Sequence, residues 1–126
     1  MSNKNKPTET ELEILQILWQ NGPSSVRSVN DLMSQDKEIG YTTTLKLMQI
    51  MNEKELTQRD TASRTHIYTA NVEEEKVKSG LLQSFINSAY RGSASSLVMQ
   101  ALGQGKASAD ELEQIKSLIA DIEKGK

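Results

Sequence analysis

The sequence predicts a mainly α-helical protein with one small β-wing of two or three strands. Most segments repeat their apolar residues every three or four positions, as amphipathic helices do. Only the stretch from Thr57 to Thr69 looks like short polar strands, and its second part alternates polar and apolar residues. Aromatic residues make up 4% of the chain, so the core must be built from Leu, Ile, Val and Met, as in compact helical proteins.

Two helices are predicted before residue 40. Thr8 and Glu11 have the spacing of a capping box, which starts the first helix, and Asn21-Gly22-Pro23 ends it. Ser24 or Ser25 can cap the second helix. The predicted apolar stripes are Leu12, Leu15, Leu18 and Trp19 in the first helix, and Val26, Val29, Leu32 and Met33 in the second. Trp19 is expected in the core.

The third helix is predicted from Tyr41 to Lys54, after a polar connection that ends at Gly40. Its apolar face consists of Thr44, Leu47, Met48 and Met51. Two strands follow, with a turn at Asp60 to Ser63. The order helix-helix-helix-strand-strand is that of a winged helix-turn-helix, so residues 1–70 are predicted to form a winged-helix DNA-binding domain.

The other face of the third helix and the wing hold the candidate DNA contacts. Hydroxyl groups can bind bases and phosphates, a lysine can neutralise phosphate, and a glutamine can pair with an adenine edge. Arginines beside a wing turn can follow the DNA backbone. The predicted contacts are Tyr41, Thr42, Thr43, Lys46, Gln49, Arg59 and Arg64.

Each of these residues also has a possible role that does not involve DNA. The helix face can be an ordinary solvated surface, and Tyr41 can pack at the helix start instead of contacting phosphate. His66 is the only histidine, so it has no histidine partner for a metal or a catalytic pair. We expect it to be a structural strand residue or a neighbour of phosphate.

Residues 71–126 are predicted to form a helical dimerisation domain. Asn71, with Glu74 three positions later, resembles a helix cap, and Ser108 with Glu111 is a second capping box. A short helix from Ser95 to Leu102 lies between the two longer ones. Three such helices would leave much apolar surface in water, and a second copy would cover it. The predicted dimer contacts are Leu81, Phe85, Ile86, Leu97, Leu112, Ile115 and Ile119.

Composition and net charge limit the functions that the chain can have. The net charge is −2, which counts against a general attraction to polyanions, so DNA affinity would depend on geometry and dimerisation. A twofold dimer would place two recognition helices about 34 Å apart on a palindromic site. One histidine, no cysteine and no Gly-rich phosphate loop predict that the chain is not an enzyme and uses no cofactor or metal. No segment suits membrane insertion or secretion, so the cytoplasm is expected.

Several segments together resemble the penicillinase repressor and methicillin-resistance repressor family. They are Thr8–Trp19, Gly22–Val26, Tyr41–Thr44 and Arg64–Tyr68, with Phe85–Ser93 and Ser96–Met99 in the second half. The resemblance implies a homodimeric winged-helix repressor that binds an operator palindrome in double-stranded DNA. The chain departs from the family at Ile50, where relatives often have Arg, and at Glu55, where they often have Gly.

The resemblance also implies a route to derepression. In antibiotic-responsive members, a membrane sensor protease triggers cleavage within the dimerisation half. Carried onto this chain, the cut bond would lie near Gln100 and Ala101, where the residue pair differs from the usual one. The copper-responsive branch uses a cysteine-rich metal site, and the absence of cysteine excludes that chemistry here.

A second hypothesis belongs to another class. The winged helix would then be only a scaffold, and the C-terminal helices would dock a partner protein without specific DNA binding. The weak net charge is compatible with this reading. Salt dependence separates the two, because DNA binding releases counterions and an apolar protein contact does not.

Overall fold

The computed structural model describes residues 6–105 and 107–125, and the prediction of a mainly α fold with a small β-wing is confirmed there. The elements are α1 (Glu9–Asn21), β1 (Ser24–Ser25), α2 (Val26–Met33), α3 (Tyr41–Glu53), β2 (Thr57–Asp60), β3 (Ile67–Ala70), α4 (Glu74–Ala89), α5 (Ala94–Gly103) and α6 (Ala109–Lys124). The chain divides into two compact units, the first ending at Leu81 and the second beginning at Leu82. This boundary lies inside α4, whereas the predicted domain division at residue 70 precedes that helix.

The first helix begins as its capping box predicts. Thr8 Oγ1 accepts from the Glu11 amide at 3.2 Å, and Glu11 Oε1 accepts from the Thr8 amide at 2.9 Å. Ile14, which the predicted stripe omitted, is fully buried with Leu15. Trp19 is only half-buried, because it packs against the edge of the core while its indole N–H donates to the Val72 carbonyl at 3.0 Å.

The second and third helices are joined by a buried polar contact. The Asn30 side-chain amide donates to Thr44 Oγ1 at 2.8 Å and to the Ile39 carbonyl at 3.1 Å. Asn30 is 8% exposed and Thr44 fully buried, so these bonds form away from water. They attach the N-terminal half of α3 to α2.

The third helix ends in a Schellman motif. The Leu56 amide donates to the Met51 carbonyl and the Glu55 amide to the Asn52 carbonyl, at 2.9 and 3.1 Å. Glu55 occupies the left-handed position of this motif, with φ of 66°. Glycine is the usual residue there, so the helix ends in the usual geometry with an unusual residue.

The sheet is antiparallel with the strand order β1-β3-β2. Its main ladder pairs Thr57 with Ala70 and Asp60 with Ile67. The strand β3 begins two residues later than the alternating pattern indicates, so the connection spans residues 61–66 and is longer than the predicted turn. We call residues 57–70 the wing.

Below the helices and the wing lies one core in the first unit. Its members come from α1, α2 and α3, from Leu56 just before β2, and from Tyr68 on β3. The buried members are Ile14, Leu15, Leu18, Val26, Val29, Met33, Met48, Met51, Leu56 and Tyr68. Since α3 contributes only one side to this core, its opposite side faces solvent.

An ion pair joins α1 to the C-terminal end of α3. Lys54 Nζ lies 2.6 Å from Glu11 Oε1, and the carboxylate of Glu11 is 3% exposed. The same ammonium donates to the Lys6 carbonyl at 3.2 Å. Glu11 therefore caps α1 and also pairs with the end of α3, a contact that its position in the sequence did not predict.

The second unit contains the end of α4 and all of α5 and α6. The cap predicted at Asn71 is wrong, because α4 starts at Glu74 and the Asn71 side chain instead donates to the Glu55 carbonyl at 3.1 Å. The capping box of Ser108 and Glu111 is present. None of the helices described here is long and apolar enough to cross a membrane.

Candidate nucleic-acid interface

The outward side of α3 carries most of the predicted contacts. Thr42, Thr43, Lys46 and Gln49 are exposed, while Thr44 and Met48 on the other side are fully buried. Residues 42, 46 and 49 follow helical spacing and share one face. Ile50 is 37% exposed beside them and adds an apolar side chain to a largely polar surface.

The wing carries the two predicted arginines. Arg59 lies on β2 and Arg64 in the loop, and both are exposed. The loop is held by its own short-range bonds: Asp60 Oδ1 accepts from the Ala62 amide at 2.9 Å, and the Ser63 hydroxyl donates to the Thr65 carbonyl at 2.8 Å. These bonds shape the loop on both sides of Arg64.

Several cations near the candidate interface make no ion pair, whereas five lysines of the described chain do. Lys37, Lys54, Lys76, Lys78 and Lys116 each pair with a glutamate. Across residues 6–105 and 107–125, no ion pair is made by Arg27, Lys46, Arg59 or Arg64. Unpaired cations need lose no internal partner when they bind an anion.

A groove of about 330 Å³ lies between α2, α3 and the wing. We call it the α2–α3–wing groove. It brings together two predicted contacts, Tyr41 and Arg64, with His66, which was expected to be a strand residue or a neighbour of phosphate, and Arg27, which was given no role. None of the residues that line it is acidic.

Arg27 was missed because its role depends on the tertiary structure. Its guanidinium carbon lies 4.7 Å from the centre of the Tyr41 ring, a cation–π contact between α2 and α3. The available sequence signal was its position between Val26 and Val29, off the buried side of α2. The groove leaves out Thr42, Thr43, Lys46, Gln49 and Arg59, which lie elsewhere on α3 and β2.

The predicted dimer contacts differ in exposure within a single chain. Phe85, Leu112 and Ile119 are exposed, at 53%, 40% and 51%. Leu81, Leu97 and Ile115 are half-buried, and Ile86 is already buried. Further exposed apolar side chains, absent from the predicted set, are Leu82, Val98, Met99, Leu118 and Ile122.

Gln100 and Ala101 lie in α5, where the resemblance places a cleavage site. Both residues are exposed, and α5 contributes no buried residue. The part of the chain that is described holds no group of three or more His, Cys, Asp or Glu suited to a metal ion.

A three-helix core, a three-stranded sheet that includes a two-stranded wing, and an outward recognition-type helix define a winged-helix protein of the DNA-binding regulator class. The chain belongs to the penicillinase repressor family, whose model matches residues 7–121. Penicillinase repressors are DNA-binding regulators, so the prediction that the chain is not an enzyme is confirmed.

Individual relatives resemble the chain over nearly its full length. The penicillinase repressor of Staphylococcus aureus is 24% identical over 98% of this chain and 99% of its own. The methicillin resistance regulatory protein MecI of Staphylococcus aureus (strain N315) is 25% identical over 94% and 98%. The penicillinase repressor of Bacillus licheniformis is 20% identical over 90% and 89%.

Proposed function

We propose that this protein is a homodimeric transcriptional repressor that binds a palindromic operator in the cytoplasm. The observation that carries the proposal is the contrast across α3. One side is locked into the core by Thr44, Met48 and Met51, and the other presents hydroxyl, amide and ammonium groups to solvent. Such a helix can enter a major groove without disturbing its own packing.

The unpaired cations support this orientation. Lys46 on α3 and Arg59 and Arg64 on the wing lie on the elements that a winged helix brings to DNA, and each is free of an ion pair within the described ranges. Phosphate contacts supply much of the affinity of such complexes. The protein carries a net negative charge, but these three cations lie on the surface that would contact DNA.

The test uses DNA fragments selected by binding from the source genome. Thr43→Ala and Lys46→Ala should each weaken binding by about 1–3 kcal/mol, roughly 5- to 150-fold, because each removes a contact to a base or a phosphate. Affinity is measured by fluorescence anisotropy at fixed salt. Both variants should remain dimeric and folded.

Lys76→Ala is the matched control, since it removes an equal charge from an exposed position in the first turn of α4. Its affinity should stay near that of the wild type. Unchanged binding by both α3 variants would show that the proposed face is wrong. The alternative of a protein-interaction module is not favoured by membership in a family of repressors.

Regulation by cleavage is the second part of the proposal. A sensor protease pathway that responds to an antibiotic would cut near Gln100 and Ala101 and release the operator. Support comes from the exposure of both residues and from a helix that buries no side chain of its own. A protease needs an extended strand, and a ten-residue helix with so little packing opens at small cost.

A further inference from the structure

We infer that the α2–α3–wing groove binds a phosphate of the DNA backbone, with Arg27 and Arg64 as its cationic ligands and His66 as an additional donor. The inference rests on the proposed function and deepens it, because Arg27 and His66 are assigned no role there. The groove is formed entirely within the first unit.

The chemistry of the lining fits a phosphate group. Arg27, Arg64 and His66 line the space with the hydroxyl-bearing residues Thr65 and Tyr41, and with Ser25, whose hydroxyl already caps α2. Guanidinium groups bind phosphate oxygens through paired N–H donors, and hydroxyls complete such sites. No carboxylate lies among the lining residues to compete for these donors.

The donors are also available. Within the described parts of the chain, Arg27, Arg64 and His66 make no side-chain hydrogen bond or ion pair, and Arg27 has a cation–π contact with the Tyr41 ring. The contact forms over the face of the Tyr41 ring and supplies no oxygen or nitrogen acceptor to the guanidinium N–H groups. The Tyr41 ring therefore limits where the Arg27 guanidinium can lie, and its N–H groups can still donate to a phosphate.

Because the groove lies at the start of α3, we expect its phosphate to come from the DNA backbone. Tyr41 is the first residue of α3, and Thr42 and Thr43 follow it on the exposed helix. A phosphate held at Tyr41 and Arg27 would thus adjoin the major groove that α3 enters. The same phosphate would join α2, α3 and the wing loop through one ligand, fixing the wing relative to the helix.

The first experiment measures the salt dependence of binding to a mixed-sequence 30-base-pair duplex with the full chain. Neutralising one phosphate contributes about 0.9 to the slope of log K against log salt. Arg27→Gln should reduce the slope by about that amount per protomer and weaken binding to all sequences alike. Lys76→Gln, an equal loss of charge in α4, should leave the slope unchanged.

Arg27→Lys separates charge from geometry. It keeps the charge but loses the planar group that contacts the Tyr41 ring, so it should restore most of the slope and only part of the affinity. Equal slopes for Arg27→Gln and Lys76→Gln would overturn the inference. A wild-type protein that binds neither selected fragments nor mixed-sequence DNA would instead overturn the proposed function.

The second experiment uses the single histidine as a reporter. The His66 ring gives one set of imidazole proton signals in an NMR spectrum, because the chain has no other histidine. Adding duplex DNA should shift these signals in the wild type, and the shift should shrink in Arg27→Gln. If inorganic phosphate alone gives a saturable shift while the DNA slope of Arg27→Gln stays at the wild-type value, the groove serves free phosphate and the assignment to DNA is overturned.

Discussion

Glu55 holds a backbone conformation that glycine adopts with less strain. Its φ of 66° is kept by the two hydrogen bonds that end α3 and by the Asn71 amide, which donates to its carbonyl. Left-handed backbone costs an ordinary residue about 1–2 kcal/mol. A carboxylate at this position also faces the partial negative charge at the end of the helix.

Glu55→Gly should therefore stabilise the protein. Relief of strain exceeds the greater chain entropy of glycine, so the free energy of unfolding should rise by about 0.5–1 kcal/mol. Urea denaturation measures this change. Glu53→Gly removes the same charge from the last residue of α3, where the backbone is helical, and should destabilise by about 1 kcal/mol. A loss of stability in both variants would contradict the strain assigned to Glu55.

Residue-scale prediction from sequence worked where the cause was local. The capping boxes at Thr8 and Ser108 depend on spacing alone, and both are present. The cap expected at Asn71 failed because α4 begins only at Glu74, and the Asn71 side-chain N–H instead donates to the distant Glu55 carbonyl. Arg27 was missed for the same reason, since its stacking partner Tyr41 belongs to another helix.

At the scale of elements, the pair α2 and α3 depends on one buried polar contact. Asn30 donates to Thr44 and to the Ile39 carbonyl, which lies in the connection between the helices. A buried donor that loses its acceptor costs about 1–3 kcal/mol. The contact therefore adds to apolar packing in setting the position of α3 relative to α2.

A double-mutant cycle tests this coupling. Thr44→Val keeps the shape of the side chain and removes its acceptor, so stability should fall by about 1–2 kcal/mol. Combined with Asn30→Ala, the two changes should show a coupling of about 1 kcal/mol in urea denaturation. The control cycle pairs Asn30→Ala with Thr42→Val, an exposed threonine of the same helix, and should be additive. Equal additivity in both cycles would argue against the contact.

Element order was easier to predict than element pairing. Helical periodicity revealed α1, α2 and α3, and their stripes explained which sides are buried. The two-residue strand β1 has no period of its own and exists because Ser24 and Ser25 pair with Tyr68 and Ile67. The late start of β3 likewise depends on its register with β2, which a single strand's sequence does not contain.

At the scale of the whole molecule, apolar exposure is uneven. Of the ten large apolar side chains exposed in the described ranges, eight lie in the second unit, and the other two, Tyr41 and Ile50, lie on α3. Large exposed apolar patches are typical of interaction sites. A second copy of the chain is the partner that we propose for it.

Phe85→Ala should shift the protein towards monomer in sedimentation and weaken operator binding in parallel. The phenyl ring is half exposed and contacts only Tyr90 as an aromatic neighbour, at 5.8 Å between ring centres, so its loss should leave the first unit folded. Phe85→Leu keeps an apolar side chain and should remain dimeric. A monomeric Phe85→Ala protein that binds the full palindrome as tightly as wild type would disprove the link.

The small basic surface of α3 and the wing also affects how this protein would find its site. A net charge of −2 repels DNA at long range, and the basic face is felt only within a Debye length, about 8 Å at physiological salt. We therefore expect little electrostatic acceleration of encounter and short residence on random sequence. Such a protein would search mainly by repeated three-dimensional collisions, with little time spent sliding along the duplex.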